Sequence, residues 1–441
     1  MNDLEILEDV IKKAKSKGVE ADAAVVSTIN ESVSYRMQKL ENHERSSESN
    51  MTLRVINGRR HACISTNQLS DIEDLVDKVI MMANAAPENP DISLLDSDYD
   101  VDDADTSLSI FDHRSLSKED LIDNVKNAEM AALSYDKIKN SEGAYSKCAN
   151  STISFANSKG ILCSYRKSCF YNSISVIAKD GDSMEQGSDY SISCYSQNLK
   201  NPSLIGKKAA ERAIKKLHPQ KIATCKVPVV FDAEISGSIL QSISNAINGL
   251  NVADGASFLK DKLNKEIFSK NINIIDDPRL LRGLASYPFD GEGIVGKKLH
   301  LVENGILNNW LLDGQSASKL NLSSNGRASR STTGIIKPTH SNLYMEPGKY
   351  KPSYIISQIK RGVYITDVFG FGSNIITGDY SHGASGFLIE DGEITTPINE
   401  FTIAGNMNEM FMGMMPANDL HFNKLVNAPT IVVAQMTVAG K

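Results

Sequence analysis

The chain has 441 residues, of which 41% are hydrophobic and 23% are charged, as in ordinary globular proteins. It exceeds the length at which a single hydrophobic core stops growing, so we expect two or more lobes. The 47 basic and 54 acidic residues give a net charge of −7, which argues against a general nucleic-acid binder because such proteins present a basic face. The sequence has no apolar run of about 18 residues and no apolar leader, so we expect a cytoplasmic protein that does not enter a membrane.

The first part of the chain predicts helices packed on a sheet. Apolar residues recur at helical spacing from Leu4 onward, and Gly18 stands where this helix would end. Runs of β-branched residues predict three strands, at 21–29, 32–40 and 51–56. Ser70 and Glu73 form a capping box, so a second helix is predicted after them.

An acidic segment then interrupts the pattern. Residues 87–105 read PENPDISLLDSDYDVDDAD, and because their charges repel and little of the segment is apolar, we expect a surface connector. A capped helix is predicted from Ser117, and period-two strands across 138–196 indicate an antiparallel meander. Helical spacing returns from Ile205 to Leu217.

A strand at 227–231 and a helix at 234–250 begin the second part of the chain. The turn signal Asn304-Gly305 predicts a hairpin. Residues 362–412 then place short strand-like runs between glycines. This second part therefore contains mainly short strands and few helices.

Taken together, these patterns predict an α+β protein. Residues 1–220 would form an N-terminal α/β lobe that contains the antiparallel meander and the acidic connector. Residues 221–441 would form a C-terminal β-rich lobe of mixed sheets with few helices. A last strand near the end of the chain would complete a sheet of this second lobe.

Metal-ligating residue types are scattered along the chain. A zinc site needs three or four His, Cys, Asp or Glu side chains at about 2 Å from the metal. The eight histidines are isolated from one another, and no HExxH arrangement places two of them on one helix face. The six cysteines include no CxxC pair. We therefore expect no metal site that this chain builds alone.

The segment GDYSHGAS contains Asp379, Ser381 and His382, the residue types of a Ser-His-Asp triad. Ser381 and His382 are adjacent, and adjacent residues on a strand point to opposite faces, so they are poorly placed as nucleophile and base. A turn in which Asp and Ser side chains bind backbone amides explains the segment better. Gly378, like the other glycines nearby, would let a ligand chain approach the backbone closely.

A second pair of acidic residues, Asp290 and Glu292, lies in the segment SYPFDGEGI. Two carboxylates at this spacing could serve acid-base chemistry or a metal. Proline and glycines flank them, however, which is typical of loop carboxylates that accept hydrogen bonds from backbone amides. We favour this second interpretation and keep both residues as candidates for a ligand groove.

Long, ordered motifs cover the second part of the chain: ASYPFDGEG, SASKLNLSSNGRASR, TDVFGFGSNIITGDYSHGASGFLIEDGEITTPINEFTIAGNM and the closing MTVAG. They resemble the PmbA (TldE) branch of the TldD/PmbA family, and the first part of the chain fits more loosely. The resemblance implies an α+β protein that forms a dimer with a long internal groove and processes peptides in the cytoplasm.

In that family, the TldD branch carries an HExxxH zinc motif on the helix that begins the C-terminal lobe, and a late cysteine ligand. In this chain the helix reads ILQSISNAI, with Ser242, Ile243 and Ile247 at the motif positions, and no cysteine follows Cys225. Serine and isoleucine cannot replace an imidazole ligand or a general-base carboxylate. The resemblance thus implies that this chain holds no zinc or other cofactor.

Two functions remain open. In the first, the chain is the non-zinc subunit of a TldD/TldE-type metallopeptidase. It would pair with a zinc-bearing TldD-type subunit, or with itself when alone, and would hold an unfolded peptide by strand addition around residues 370–386. In the second, it is a non-proteolytic binding protein, which the family's older label calls a modulator of DNA gyrase. A third interpretation is an independent hydrolase that uses Asp290, Glu292 or His382.

Overall fold

The computed structural model describes residues 2–68, 71–96, 107–370 and 372–440. Across these ranges the protein is α+β: an antiparallel sheet that carries helices on one face is followed by a part rich in short strands with mixed pairing. This confirms the predicted fold class, while the division at 220 remains a prediction. No helix in the described ranges is both long and apolar enough to cross a membrane.

Six antiparallel strands form the N-terminal sheet: β1 (Glu20–Arg36), β2 (Lys39–Asn57), β3 (Arg60–Thr66), β4 (Ile138–Asn157), β5 (Leu162–Asp180) and β6 (Ser183–Ser193). Their order in space is β3-β2-β1-β4-β5-β6. The helices of this part are α1 (Asp3–Ser16), α2 (Ile72–Ala85), α3 (Lys118–Leu133) and α4 (Pro202–Lys215). The helices α1 and α2 cover one half of the sheet, and α3 and α4 cover the other half, with a buried apolar cluster under each pair.

β1 is one continuous strand where the sequence pattern predicted two. It runs through Asn30 and Glu31, and the chain reverses at Met37 and Gln38, which have φ angles of 46° and 61°. The predicted strand at 32–40 spans this turn and is therefore wrong. Polar residues do not interrupt β1 because β2 and β4 pair with it on both sides and satisfy its backbone hydrogen bonds.

β2 extends well beyond the strand beside it. It pairs with β1 along nearly its whole length, but β3 pairs only with Met51–Asn57. On that side, residues 39–50 of β2 have no neighbouring strand among the described residues. Their side chains are mostly exposed and polar. We call residues 39–50 the open edge of β2.

The structure describes one of the two helix caps predicted on either side of the acidic segment. Ser70 lies outside the described residues, and the side chain of Asp71 caps α2 by accepting a hydrogen bond from the backbone N–H of Asp74. The acidic connector predicted at 87–105 is described only as far as residue 96. The capping box predicted at Ser117 is confirmed at the start of α3.

The C-terminal part contains five helices in the described residues: α5 (Ala233–Ala246), α6 (Gly249–Ala253), α7 (Gly314–Lys319), α8 (Pro352–Ser357) and α9 (Met407–Met412). Its strands are β7 (Cys225–Phe231), β8 (Ile274–Asp276), β9 (Leu299–Glu303), β10 (Ile306–Leu307), β11 (Ala328–Arg330), β12 (Ile336–Pro338), β13 (Leu343–Met345), β14 (Arg361–Phe369), β15 (Asp379–Glu390), β16 (Glu393–Asn406), β17 (Met414–Pro416), β18 (Val426–Asn427) and β19 (Ile431–Ala439). The predicted strand and helix after residue 226 are confirmed as β7 and α5, although α5 ends earlier, at Ala246.

A mixed sheet positions the candidate site residues of this part. Its order is β16-β15-β14-β7-β19-β17, and β16 also pairs with β19, which closes five strands into a ring. β14 runs parallel to β7, whereas β15 and β16 are antiparallel neighbours. The largest apolar core of the protein lies between this sheet, α5 and the short strands around β9. α5 therefore starts directly from the central strand β7 and packs against the closed sheet.

Candidate functional site

A buried cluster of charges lies where the N-terminal sheet meets the C-terminal part. Asp22 on β1 and Arg54 on β2 are paired in register, so their side chains share one face of the sheet. Arg54 Nε donates to Asp22 Oδ2 at 3.0 Å, and Arg54 Nη2 donates to Glu292 Oε1 at 3.3 Å. From β11, Arg330 Nη2 donates to Asp22 Oδ1 at 2.7 Å. We call these four residues the junction cluster; the exposed fraction of each side chain is 6% or less.

Asp22 and Glu292 share Arg54 unequally. Burial alone would raise the pKa of Asp22, but Arg330 and Arg54 together hold this pKa below its ordinary value. Burial raises the pKa of Glu292, and Arg54 offsets this only in part. The geometry explains the difference, because Asp22 receives hydrogen bonds from two guanidinium groups and Glu292 receives longer ones from a single group. Asp22 is thus the anion that the junction cluster stabilises most.

Asp290 lies beside the junction cluster and is only 5% exposed. Its Oδ1 accepts the backbone N–H groups of Glu292 at 2.9 Å and Ile294 at 3.0 Å, and its Oδ2 accepts that of Ala328 at 2.8 Å. Burial, followed by the charge of Glu292, raises the pKa of Asp290 to about 7. Glu292 in turn accepts the backbone N–H of Gly314 at 2.7 Å, at the start of α7. Both carboxyl groups therefore bind loop amides, as the sequence interpretation favoured.

A cavity of about 120 Å³ opens beside the junction cluster, lined in part by Arg54, His61, Cys63, Glu292 and Asp313. Burial lowers the pKa of His61 and raises the pKa of Cys63, so the imidazole and the thiol are both neutral near pH 7. A neutral thiol is a weak nucleophile and a weak metal ligand. The described residues contain no group of three or more His, Cys, Asp or Glu side chains that could hold a metal ion.

The predicted residues Gly378 and Asp379 stabilise the turn that leads into β15. Gly378 has a φ angle of +82°, a conformation that favours glycine. Asp379 Oδ2 accepts from Thr377 Oγ1 at 2.6 Å, and Asp379 Oδ1 accepts from Asn406 Nδ2 at 3.2 Å. These hydrogen bonds lower the pKa of Asp379. In the described residues, no hydrogen bond joins Asp379 or the exposed Ser381 to the imidazole of His382, so the three do not form a triad.

A second polar cluster joins α5 to β15 through three side chains. Ser242 Oγ lies 3.0 Å from Ser373 Oγ, and Ser373 Oγ lies 3.2 Å from His382 Nε2. The ring of Tyr380 packs beside the imidazole, with ring centroids 4.5 Å apart. Burial lowers the pKa of His382, and hydrogen bonding to the backbone at Gly370 and Phe369 offsets this only in part. We call Ser242, Ser373 and His382 the hydroxyl–imidazole cluster.

The positions on α5 that the resemblance assigned to a zinc motif hold other chemistry. Ile243 and Ile247 are 1% and 0% exposed and pack in the largest apolar core. Ser242 directs its hydroxyl into the hydroxyl–imidazole cluster, where it also lies 3.2 Å from the backbone carbonyl of Ser238. Two alkyl groups and one hydroxyl do not supply the imidazole, thiolate or carboxylate donors that zinc prefers. The residues of α5 therefore do not fit a zinc site.

The structure brings some of the predicted residues together and separates others. Ser242 and His382 meet through Ser373, which the sequence pattern did not single out. Asp290 and Glu292 belong to the junction, and no hydrogen bond or ion pair in the described residues links them to His382. Arg54 was also missed, although one charged residue inside the apolar strand MTLRVIN is a sequence signal for a buried ion pair.

Comparison with known proteins defines the class of this protein. The chain matches three consecutive domains of one family: the PmbA/TldA metallopeptidase domain 1 at residues 21–83, the central domain at 111–217 and the C-terminal domain at 224–440. It therefore belongs to the PmbA/TldD metallopeptidase family.

Within that family it belongs to the PmbA branch. It is 33% identical to a metalloprotease PmbA homolog of Haemophilus influenzae over 434 residues, which cover 98% of this chain and 94% of the relative. It is 32% identical to metalloprotease PmbA of Escherichia coli O157:H7, with 99% and 96% covered.

Solved structures share the whole fold. A protein from Bacteroides thetaiotaomicron, described as a candidate modulator of DNA gyrase, has a TM-score of 0.89 at 25% identity, with 99% of this chain and 98% of that chain covered. TldE from Thermococcus kodakarensis has a TM-score of 0.84 at 20% identity, with 99% and 100% covered. Similarity across almost the full length of both chains means that the junction between the two parts belongs to the shared fold.

Replacing Arg54 by methionine should strongly destabilise the protein. The change leaves the carboxylates of Asp22 and Glu292 buried with one guanidinium fewer, which typically costs about 3–5 kcal/mol. Chemical denaturation measures the loss. Arg59→Met is the matched control, because Arg59 is exposed, and such surface changes stay within about 0.5 kcal/mol. Equal unfolding free energies for the two variants would contradict a stabilising junction cluster.

The titration of Asp290 should lower the free energy of unfolding as the pH rises from 4 to 8. Its pKa of about 7 in the folded protein exceeds its ordinary value of 3.8, so the folded state binds the proton more tightly, and this contribution disappears as the pH passes 7. One proton corresponds to at most about 1.4 kcal/mol per pH unit. The measurement is the unfolding free energy of wild type minus that of Asp290→Asn at several pH values.

Subtracting the unfolding free energy of Asp290→Asn from that of wild type removes the contribution of every other titrating group that the substitution leaves undisturbed. The stability of Asp290→Asn should rise relative to wild type with increasing pH, whatever constant offset the lost hydrogen bonds produce. Asp261→Asn, at an exposed position, serves as the control and should track wild type. A difference that stays constant from pH 4 to 8 would show that Asp290 is already ionised.

Proposed function

We propose that this chain is the non-zinc subunit of a two-chain metallopeptidase, cytoplasmic in location, that processes unfolded peptides together with a zinc-bearing TldD-type subunit. The chain belongs to a metallopeptidase family along almost its whole length. The name of the Thermococcus kodakarensis protein, TldE, supports the assignment to the subunit that is paired with TldD. In this proposal the partner supplies the zinc, and this chain supplies part of the peptide-binding surface.

One observation carries the proposal. The α5 positions that the resemblance aligns with the zinc motif place Ile243 and Ile247 in the apolar core and Ser242 in the hydroxyl–imidazole cluster. Isoleucine has no donor atom that could bind a metal, and both side chains fill the core in which they pack. In this proposal the ligands for zinc come from another chain, and a TldD-type subunit has the HExxxH motif that would supply them.

Strand addition is a second element of the proposal, and the structure changes its location. β15 lies between β14 and β16 over residues 383–390, and residues 379–382 pair with β16 on one side and with the backbone of residues 372–374 on the other. Addition of a peptide strand at residues 370–386, as the sequence suggested, would have to displace one of these neighbours. The open edge of β2 requires no displacement, and its backbone groups can pair with an extended peptide of any sequence.

Assembly with a TldD-type chain tests the subunit assignment. The chain is purified alone and together with an HExxxH-bearing relative from the same genome. Their mass is measured by light scattering, their zinc by elemental analysis, and their cleavage of an unfolded peptide by mass spectrometry. We expect one stable hetero-complex in which zinc and cleavage depend on the partner, and loss of both when the partner's motif histidines are replaced by alanine.

Other outcomes of that experiment are equally informative. Stoichiometric zinc or rapid peptide cleavage by this chain alone would contradict the subunit assignment. Failure to bind the relative would favour the alternative, a non-proteolytic binding or modulator protein. If the chain is such a binding protein, a partner could still pair with the open edge of β2, but binding would not lead to cleavage.

Hydrogen–deuterium exchange tests where the peptide binds. When an uncleavable unfolded peptide is added to the complex, backbone amides in residues 39–50 should exchange more slowly, because strand addition places them in new hydrogen bonds. Residues 379–390 serve as the internal control, since their amides already lie within the closed sheet. Protection around 379–390 with none at 39–50 would contradict the proposed location.

A further inference from the structure

The hydroxyl–imidazole cluster has a geometry that the proposed subunit function does not use. Ser373 Oγ is 3.2 Å from His382 Nε2, within the range in which a histidine can take the proton of a serine hydroxyl. Ser242 Oγ lies 3.0 Å from Ser373 Oγ on the other side, and either hydroxyl can be the donor of this pair. When Ser242 donates, the proton of Ser373 is directed toward the imidazole, and when Ser242 donates to the carbonyl of Ser238, Ser373 can donate to either neighbour.

The imidazole of His382 has the protonation state that a general base needs. Burial lowers the pKa of His382, so it is neutral near pH 7 and a lone pair is available on a ring nitrogen. The other ring nitrogen, Nδ1, is buried and has no hydrogen-bond partner among the described residues, so in the described structure the imidazole makes its side-chain hydrogen bond through Nε2. A neutral imidazole within hydrogen-bond reach of a serine hydroxyl is the pairing that activates a serine nucleophile.

The backbone around Ser373 is held in place. Gly372 packs so closely on β15 that a Cβ atom at this position would lie 1.3 Å from the backbone oxygen of Ser381. The backbone N–H of Ser381 donates to the oxygen of Gly372 at 2.8 Å. Ser373 therefore approaches His382 from a loop that is fixed on the same strand that carries the imidazole.

The cluster is also accessible from solvent. Ser373 and His382 are each partly exposed. Two large apolar side chains nearby in the chain, Phe369 and Ile376, are 58% and 62% exposed. Exposed apolar side chains within four residues of Ser373 in the chain favour a ligand with both an apolar group and an electrophilic centre.

We propose that Ser373 is a nucleophile activated by His382, and that this chain by itself transfers the acyl group of activated esters to water through an acyl-serine. Ser373 Oγ attacks the carbonyl carbon while Nε2 of His382 takes the hydroxyl proton. The bond from the carbonyl carbon to the leaving oxygen then breaks, and that oxygen receives the proton from His382. Water attacks the acyl-serine, gives its proton to Nε2, and the acid leaves as Ser373 regains a proton.

The inference goes beyond the two-chain metallopeptidase and does not depend on it. It concerns this chain alone, needs no metal and uses residues other than the open edge of β2. If assembly with a TldD-type subunit fails, the acyl-transfer proposal stands unaffected. If acyl transfer fails, the subunit assignment stands.

Covalent labelling with an alkyl fluorophosphonate tests the nucleophile. The probe forms a bond between Ser373 Oγ and phosphorus and releases fluoride, so intact mass and peptide mapping identify the modified residue. We expect one label per chain on Ser373, none on Ser373→Ala, and labelling slowed about 100-fold in His382→Gln through loss of the general base. Ser381→Ala, at an adjacent exposed hydroxyl, should be labelled at the wild-type rate.

The pH dependence of labelling in wild type provides a readout that needs no variant. The rate should rise as His382 loses its proton, with a midpoint below the ordinary value of 6.5. Circular dichroism of each variant establishes that it is folded. Absence of label on Ser373 in wild type, or equal labelling of folded His382→Gln, would overturn the proposal. A hydrogen-bonding role alone would predict these results.

Discussion

The buried ion pairs between the two parts of the molecule constrain the rest of the structure. Asp22 and Arg54 come from neighbouring strands of one sheet, whereas Glu292 and Arg330 come from the C-terminal part. Removing such charges from water costs several kcal/mol per ion, and only well-placed partners offset the cost. The C-terminal part can therefore dock on the sheet only where these four side chains meet. The cluster also fixes the register of β2, because a slip of one residue would turn Arg54 toward the helices.

The two polar clusters have different chemical characters. In the junction cluster, carboxylates and guanidinium groups satisfy one another, and the neighbouring Asp290 is surrounded by backbone amides. These groups hold the fold together and have little freedom to react. The hydroxyl–imidazole cluster is uncharged, is partly exposed and contains hydroxyl protons that can rotate between partners. Within a metallopeptidase family, this chain thus combines a rigid ionic junction with neutral groups that could carry proton transfer.

Local patterns in the sequence predicted the elements well, and contacts between distant residues could not be predicted from them. The fold class, α1, α3, the meander, β7 and α5 follow from periodicity and capping residues. The turn at Met37 and Gln38 was missed because neither residue type favours a positive φ angle, so sheet pairing must impose it. The partnership of Arg54 with Glu292 joins residues 238 positions apart, and Ser373 meets His382 only because a loop folds onto β15. Spacing in the sequence contains no information on either contact.

The length of β2 limits the length of a segment that could pair with its open edge. A strand rises about 3.3 Å per residue, so the 19 residues of β2 extend roughly 60 Å, and its open edge accounts for roughly 40 Å of that length. A segment that pairs along this edge can therefore span about a dozen residues in extended form. The same backbone continues without interruption to Arg54, only four residues beyond the open edge. β2 thus contains both a long unpaired edge, whose length limits the segment that could pair with it, and Arg54, which binds the C-terminal part through Glu292.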